Sequence, residues 1–412
     1  MELKIRYQYS YFIYPYVVDK KKYTKYIQKL VTHPKCKIRF FEKEKDLSLY
    51  DYFLPTIRKN LFPTFEFGKS KIKKFQEMPD ETKAAILAKY PCSIFEYELE
   101  KEIQGKAGEN DGIFFEIPKI EIVCFSEGIC FLLIKTNIEN TNDFSDLLDF
   151  NCKFRDFQKE KNTIGKYSNI KIQTNLFDNI TELEQLIHSL TEEKEEASML
   201  DITQERFLTY SYTCLDQSDW NEEKGFEQIE HEFYKYANVL PSSSNINIEQ
   251  QDIEETSFSH LKYVKMGFSK VGTCLLTSAV DPYHYTKLPY EFENQYLYSY
   301  LLLLFHRLYL KRLNIEYQKA TRTKQVRKEF ISFTQKYWVA EITNQELGNR
   351  LYQKWKIILE IDQLYDKLKG KYDILYKELN IEKTMRINKI IMFFLVVLLL
   401  FNLILFFGLI GG

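Results

Sequence analysis

The chain has 412 residues, and its 57 lysine and arginine residues are balanced by 58 aspartate and glutamate residues. This balance gives no support to a nucleic-acid groove, which would need clustered positive charge. Seven scattered cysteines without a C-x-x-C pair argue against a disulfide framework and predict reduced, mostly buried thiols. The residues ahead of position 390 suffice for one large or two moderate hydrophobic cores.

The N-terminal part predicts mixed α and β structure. In "ELKIRYQYSYFI", apolar and polar residues alternate, which predicts a strand with one buried face. "YTKYIQKLVTH" has helical spacing, and "KIEIVCFSEGICFLLIK" predicts a hairpin that turns at 126–128. Asp143 is the predicted N-cap of a helix in "DFSDLLDFNCKF".

A second stretch of the same kind follows a polar segment near 157–200. "ERFLTYSYTCL" predicts a strand, "EKGFEQIEHEFYKYANVL" a helix and "LKYVKMGFSKVGTCLLTS" another hairpin. We therefore expect an α+β head over residues 1–288, either undivided or in two subdomains with a break near 157–200.

Long helices are predicted over 289–389. The apolar stretch 296–305 is too short to span a bilayer, so we expect a helix buried between neighbours, with His306 as a core histidine. Thr343 and Glu346 have the spacing of a capping box, which predicts the start of a further helix.

Apolar residues recur in steps of three and four along this last helical stretch. They are Leu351, Trp355, Ile358, Ile361, Tyr365, Leu368, Tyr372, Leu375 and Leu379. The spacing is close to a heptad seam, with one short step between Ile358 and Ile361. Two interpretations stay open: a helix docked on its own protein, or a stalk that associates with copies of itself.

The segment 390–410 is predicted to span a membrane. It contains no charged residue, and about 21 residues give roughly 31 Å of helix, close to the hydrocarbon thickness of a bilayer. Lys383, Arg386 and Lys389 precede it, and basic flanks stay cytoplasmic. "MELKIRYQYS" lacks the apolar core of a secretory signal. We expect a single-pass protein of the cell inner membrane with a cytoplasmic N-terminal head.

One stripe of this segment is the candidate pore lining. Asn388, Leu395, Asn402 and Leu409 are seven residues apart, so they lie along one face of a helix. Asn402 in hydrocarbon needs partners, which are either neighbouring copies or water in a pore. An axis otherwise lined by leucine would form a hydrophobic constriction that gates by losing its water.

No motif points to an enzyme. The chain lacks a phosphate-binding loop, a G-x-G-x-x-G turn, an H-E-x-x-H helix and a G-x-S-x-G elbow. We therefore expect no catalytic residues, and neither ligand-binding nor metal-binding residues can be named.

The tail resembles that of the CorA-type divalent-cation channels. Arg386 and Asn388 match the Arg-x-Asn at the pore mouth of that family, and Gly411 falls where its Gly-Met-Asn signature begins. Gly412 stands in place of the methionine, and no second spanning helix follows. The resemblance implies a pentamer with Asn388 at the pore mouth, and Mg²⁺ or another divalent cation as the ion.

The head is similar to the CorA-like membrane effectors associated with type III CRISPR systems. The likeness lies in "YSYFIYPYVV", "IEIVCFSEGICFLLI", "DLLDFNCKFRDF" and "KYWVAEITNQELG". It implies a head that senses a nucleotide second messenger, an S-adenosylmethionine–AMP conjugate, in antiviral defence.

Two functions are consistent with these patterns. The first is a membrane effector or ion channel that a cytosolic ligand gates, with the bilayer, copies of itself and a small nucleotide as partners. The second is a tail-anchored adaptor, whose head binds a protein partner while the span tethers it.

Overall fold

A computed structural model describes residues 2–99, 103–108, 112–156, 170–173, 182–191, 206–318 and 323–410. For residues 173, 323–324, 375, 378–380, 382–383 and 400–410 it describes the backbone alone.

Strands and helices alternate irregularly along the chain. The strands are β1 (Ile5–Val17), β2 (Cys36–Ile38), β3 (Cys92–Tyr97), β4 (Ile103–Ala107), β5 (Ile113–Phe125), β6 (Ile129–Ile138), β7 (Ile170–Gln173), β8 (Leu208–Leu215), β9 (Ser257–Phe258), β10 (Val264–Phe268) and β11 (Gly272–Ser278). The helices of the head are α1 (Tyr23–Thr32), α2 (Leu47–Tyr52), α3 (Pro55–Leu61), α4 (Lys69–Gln76), α5 (Asp80–Leu87), α6 (Phe144–Arg155), α7 (Leu183–Leu190), α8 (Glu230–Asn238), α9 (Gln250–Thr256), α10 (Tyr283–Thr286) and α11 (Leu288–Glu291). The C-terminal helices are α12 (Leu297–Gln318), α13 (Thr323–Lys336), α14 (Glu346–Ile358) and α15 (Ile361–Ile410).

The strands form one mixed sheet. Its order is β2-β3-β5-β6-β1-β8-β11-β10-β9, and β4 joins β5 to β7. The β8–β11 pair is parallel, whereas β1 is antiparallel to both of its neighbours. The predicted hairpin is present as β5 and β6, and Gly128 at its turn has φ of 81°. A Cβ there would lie 2.3 Å from the Val18 carbonyl oxygen, so the turn needs glycine.

Strand β1 is covered on both faces. Tyr9, Tyr11 and Ile13 pack into the core beneath α12, whereas Phe12 and Tyr14 pack into the core on the opposite face. The prediction of one buried face was therefore wrong beyond Gln8, and also at Tyr7, which belongs to the predicted buried set but is exposed. The alternation predicted the strand, but it could not reveal a second layer of helices that covers the other face.

The two faces of the sheet carry different helices. Helices α1, α5, α6 and α7 contribute to the core on one face, and Asp143 caps α6 as predicted by accepting from the Ser145 amide at 2.9 Å. Helices α12 to α15 contribute to the core on the other face. The apolar stretch 296–305 is buried there in α12, as predicted.

Helix α12 is preceded by a π-helical turn at Phe292–Tyr296, which continues α11 into it. Such turns are rare and often mark functional positions. Phe292 and Tyr296 pack inward, and Asn294 is buried with its amide donating to the Tyr290 carbonyl at 2.9 Å. The turn sets the path of α12 across the sheet.

The further helix predicted from Thr343 and Glu346 is present as α14, but the predicted capping box is absent from it. Gln345 is the N-cap residue and makes no side-chain capping bond, while the Thr343 hydroxyl accepts from the Gln345 amide at 3.2 Å. The Asn349 side chain accepts from the Ile342 amide at 3.2 Å and donates to the Thr343 carbonyl at 2.6 Å. This longer-range pairing replaces the local one that the sequence suggested.

The mixed α and β fold with long C-terminal helices is thus confirmed. The division into 1–288, 289–389 and 390–410 stays a prediction, and much of the proposed break near 157–200 lies outside the described residues. Side chains of α12 share one core with the sheet, so the long helices begin inside the folded body.

Candidate functional site

The first turns of α15 are docked on the body of the protein. Ile361 and Leu368 are buried, and Tyr365 stacks on Trp338 with ring centroids 3.9 Å apart. The Tyr372 hydroxyl accepts from Arg327 Nε at 3.1 Å. From Leu351 to Tyr372, the predicted seam therefore packs on its own chain, while the side chains of 375 and 379 lie outside the description.

A sharp joint separates α14 from α15. Glu360 has φ of 56°, in the left-handed region that costs a residue other than glycine about 1–2 kcal/mol. Ion pairs lie on either side: Lys270 with Glu360 at 2.5 Å, and Lys356 with Asp362 at 2.8 Å. The joint coincides with the short step between Ile358 and Ile361, the only sequence signal for it.

Beyond the docked turns, α15 extends away from the core into the apolar run. Every side chain over 390–399 is exposed, on all sides of the helix. Of the predicted pore-lining residues, Asn388 and Leu395 are exposed on this helix, as is Arg386 of the CorA-like signature. The side chains of Asn402 and Leu409, and the whole of Gly411 and Gly412, lie outside the description.

Within the part of the chain that is described, no helix is both long and apolar enough to cross a membrane.

A cluster of charged groups lies where the body meets the π-helical turn. Glu293 accepts from the Tyr11 hydroxyl at 2.6 Å and from Lys135 Nζ at 2.7 Å. Burial raises the pKa of Glu293, but the Lys135 cation and the hydrogen bonds from Lys135 and Tyr11 outweigh burial, so the pKa lies below its ordinary value. The carboxylate is therefore charged at neutral pH and fixes the turn to β1 and β6.

The cluster continues along the sheet to Glu121. Its buried carboxylate pairs with Lys119 at 3.1 Å and with Arg39 at 3.3 Å, and the Tyr298 hydroxyl of α12 lies 3.5 Å away. Both carboxylates are paired with cations inside the cluster. We therefore assign the cluster a structural role: it holds the π-helical turn and α12 against the sheet. Sequence reasoning missed this cluster, because Tyr11, Lys135 and Glu293 are more than 100 residues apart in the chain and no local pattern connects them.

His306 lies in the core on the other side of α12. Its ring centroid is 5.4 Å from that of Phe333 and 6.4 Å from that of Trp338, and Nε2 has no hydrogen-bond partner among the described residues. Burial, with a smaller effect of Lys356, lowers the pKa of His306 to about 3. The imidazole is thus neutral and buried as expected, but its Nε2 lacks a hydrogen bond within the described part of the chain.

The described residues form no evident metal site. Among the residues that the structure covers, no three histidine, cysteine, aspartate or glutamate side chains are grouped so as to hold a metal ion. All seven cysteines are free thiols, six of them buried. Neither a ligand pocket nor a divalent-cation site can be assigned from these side chains.

Comparisons with known proteins found no matching family model, no similar curated protein and no similar solved structure.

Proposed function

We propose that this protein is a membrane-anchored effector whose cytosolic head responds to a small ligand and whose last helix carries the response into the bilayer. The head comprises the sheet with the helices on both faces, and the effector part is the apolar end of α15. The proposal places the protein in the cell inner membrane as a single-pass, self-associating chain.

The observation that supports it most is the continuity of α15. One helix runs from Ile361 and Leu368 in the hydrophobic core to the exposed apolar run at 390–399. An all-round apolar helix surface is stable only when lipid or protein covers it. Because the docked turns and the apolar run belong to one helix, a rearrangement of the core around α12 would move the apolar end of α15 directly.

The joint at Glu360 is the position at which such a rearrangement could change the direction of α15. Lys270 in the β10–β11 turn pairs with Glu360, so the edge of the sheet contacts the start of the tail helix. A ligand would shift the arrangement only by its difference in affinity between the two states. The charged fastening at Glu293 and Glu121 holds α12 in the state described here.

The resemblance to CorA-like effectors suggests the ligand, the oligomeric state and the ion. On this basis the proposed ligand is an S-adenosylmethionine–AMP conjugate and the proposed assembly is a pentamer. Mg²⁺ or another divalent cation would pass along Asn388, Leu395, Asn402 and Leu409. Ion conduction of this kind would serve antiviral defence.

The test is ion flux through liposomes that carry the purified full chain. We expect the S-adenosylmethionine–AMP conjugate to start Mg²⁺ or K⁺ flux, whereas AMP and S-adenosylmethionine separately leave the vesicles tight. A matched control replaces 390–410 by 21 leucines and Asn388 by leucine, which keeps the anchor and removes both polar residues of the stripe, Asn388 and Asn402. Oligomeric protein in the bilayer without ligand-dependent flux would contradict the channel.

Alkaline extraction of membranes tests the anchor separately. The full chain should stay in the pellet, and a chain that ends at Lys389 should move to the supernatant. Recovery of the full chain in the supernatant would contradict membrane insertion, and with it the proposed function.

The adaptor alternative draws on exposed aromatic side chains of the head. Tyr7 and Tyr290 are exposed, and tyrosine is enriched where proteins contact each other. If the poly-leucine variant keeps its cellular activity, the tail serves as a tether and the adaptor replaces the effector.

A further inference from the structure

Acidic and basic residues occupy different parts of the head, although their totals balance. Residues 19–91 contain 18 lysine and arginine residues and nine aspartate and glutamate residues. Residues 216–256 contain two lysine residues and 11 aspartate and glutamate residues. The formal charges of the two segments are thus +9 and −9, so the net charge of −1 for the whole chain conceals a basic region and an acidic one.

The two segments lie at opposite edges of the sheet. Strand β2, which belongs to the basic segment, is the last strand at one edge, and β9, which directly follows the acidic segment, is the last strand at the other. The order between them comprises nine strands, and eight spacings of about 4.8 Å place the two edges roughly 38 Å apart along the sheet. The two charged regions of one copy therefore do not contact each other.

Helix α4 concentrates the positive charge beside β2. Phe40 follows β2 in the chain, and its ring centroid lies 5.6 Å from that of Phe75 in α4, which places this helix at the edge of the sheet. The helix reads "KSKIKKFQ" and contains no carboxylate. Its four lysines are all exposed: Lys69, Lys71, Lys73 and Lys74. We call β2 and α4 the basic edge.

Helix α9 concentrates the negative charge beside β9, which it directly precedes. It reads "QQDIEET" and contains no cation. Its carboxylates, together with that of its N-cap residue, are all exposed: Glu249, Asp252, Glu254 and Glu255. Lys265 and Lys354 of neighbouring elements interact with this helix, but the four carboxylates outnumber these two cations. We call α9 and β9 the acidic edge.

Both helices lie on the face of the sheet opposite α12. Phe75 of α4 belongs to the same core as Phe150 of α6, and Ile253 of α9 belongs to the same core as Phe144 of α6. A second head placed beside the first, in the same orientation relative to the sheet, would therefore bring its α9 to the level of α4.

We propose that the basic edge of one head docks on the acidic edge of a second copy of this chain, with α4 against α9. A second copy fits better than a nucleic acid, because a nucleic acid would use the basic edge alone and leave the equal opposite charge unexplained. The proposed function includes self-association without a named interface, and this contact belongs to the folded heads rather than to α15. It requires neither the ligand nor the ion.

The contact is head-to-tail, because each copy offers one basic and one acidic edge. Such contacts repeat from copy to copy and end either in a closed ring or in an open row. Exposed opposite charges accelerate association and set the relative orientation of the partners, and salt screens them. We therefore expect association of the heads to depend strongly on ionic strength.

Carbodiimide cross-linking of the nuclease-treated full chain in detergent tests the contact. This reagent joins a lysine amine directly to a carboxylate, so it links only side chains that touch. In a mixture of nitrogen-15-labelled and unlabelled protein, we expect peptides in which α4 of one copy is joined to α9 of another. Raising the salt from 0.1 M to 1 M shortens the Debye length from about 10 Å to about 3 Å and should lower the yield at least fivefold.

Charge reversal separates docking from chance collisions. Lys73→Glu with Lys74→Glu, or Glu254→Lys with Glu255→Lys, should each lower the α4–α9 yield at least fivefold, because both edges of one variant then carry the same sign. Mixing the two variants should restore at least half of the yield, since the reversed edges fit each other and the unchanged edges still match. Recovery in the mixture also shows that both variants are folded.

Lys21→Glu with Lys22→Glu is the matched control. These two lysines are adjacent and exposed, but they follow β1, the middle strand of the order, so the yield should stay unchanged. Absence of α4–α9 cross-links, an unchanged yield in either edge variant, or no recovery both in the mixture and in the chain with all four edge substitutions would overturn the proposal. Cross-links that form only without nuclease would assign the basic edge to nucleic acid instead. None of these yields depends on ion flux or on membrane extraction, so failure of the proposed function is distinguishable.

Discussion

The two parts of α15 use the same helix in opposite ways. From Ile361 to Tyr372, one face is buried against α12, α13 and Trp338. From Ile374 to Leu399, the described apolar side chains are exposed, and the seven-residue spacing lies on the other face. A single unbroken helix thus combines a segment that belongs to the hydrophobic core with one whose described apolar side chains are exposed.

The difference shows what heptad spacing can and cannot tell. Both segments have apolar residues in steps of three and four, and both would be taken for coiled coil from sequence. Burial separates them: Leu368 is 2% exposed and Ile381 is 58% exposed. The spacing specifies a stripe, and the rest of the fold decides whether the chain itself covers that stripe.

The largest expected effect comes from placing a carboxylate on each segment in turn. Leu368→Asp should lower the free energy of unfolding of the head by about 4 kcal/mol, because it buries a charge without a partner and leaves a cavity. Ile381→Asp should change it by less than about 0.5 kcal/mol. Urea unfolding followed by the fluorescence of Trp338 and Trp355 measures both. Similar losses for the two variants would mean that the exposed segment is also part of the core.

A smaller effect is expected from pH, through the core on which the docked segment rests. His306 is buried with its pKa lowered to about 3, so protonation near the usual value of 6.5 favours the unfolded chain. Stability is therefore complete above pH 6.5 and falls below it, by about 2 kcal/mol at pH 5. His306→Leu should flatten this dependence in urea unfolding between pH 7.5 and pH 5.

The exposed His260 provides the control for that measurement. His260→Gln should keep the pH dependence of the unmodified protein, because its side chain is in solvent. An unchanged slope in His306→Leu would show that other groups cause the acid sensitivity.

The smallest effect is expected at the joint that precedes the docked segment. Glu360→Gly should raise the free energy of unfolding by about 0.5 kcal/mol, because glycine adopts the left-handed φ without strain while the exposed ion pair with Lys270 contributes little. Glu360→Gln keeps the strain and should be neutral or slightly destabilising. Thermal unfolding in detergent measures both, and a loss of stability in Glu360→Gly would assign the ion pair the larger role.

Local patterns predicted the elements of the fold well. The β5–β6 hairpin, the Asp143 cap and the buried start of α12 each depend on residues close in sequence, so the sequence suffices for them. On the second covered face of β1, Phe12 packs on Phe150 and Phe154 of α6, more than 100 residues away in the chain, and no local alternation can encode that contact.

The candidate site was less accessible to sequence reasoning. Lys135 and Tyr11 meet Glu293 only through the registry of β1 with β6 and the placement of the π-helical turn. Predicting that the seam from Leu351 to Tyr372 docks on its own chain likewise requires the positions of Trp338 and Arg327, which contact Tyr365 and Tyr372. The pore stripe, the ligand and the ion stay predictions.

The length of the free part of α15 has a mechanical consequence. From Tyr372 to Ile410, a straight helix extends roughly 57 Å beyond its last docked turn. A tilt of about 10° at that turn would carry the far end sideways by roughly 10 Å, the diameter of a helix with its side chains. A relative shift of about 3 Å across the roughly 16 Å of docked helix from Ile361 to Tyr372 is thus geometrically amplified into a displacement as wide as a neighbouring helix.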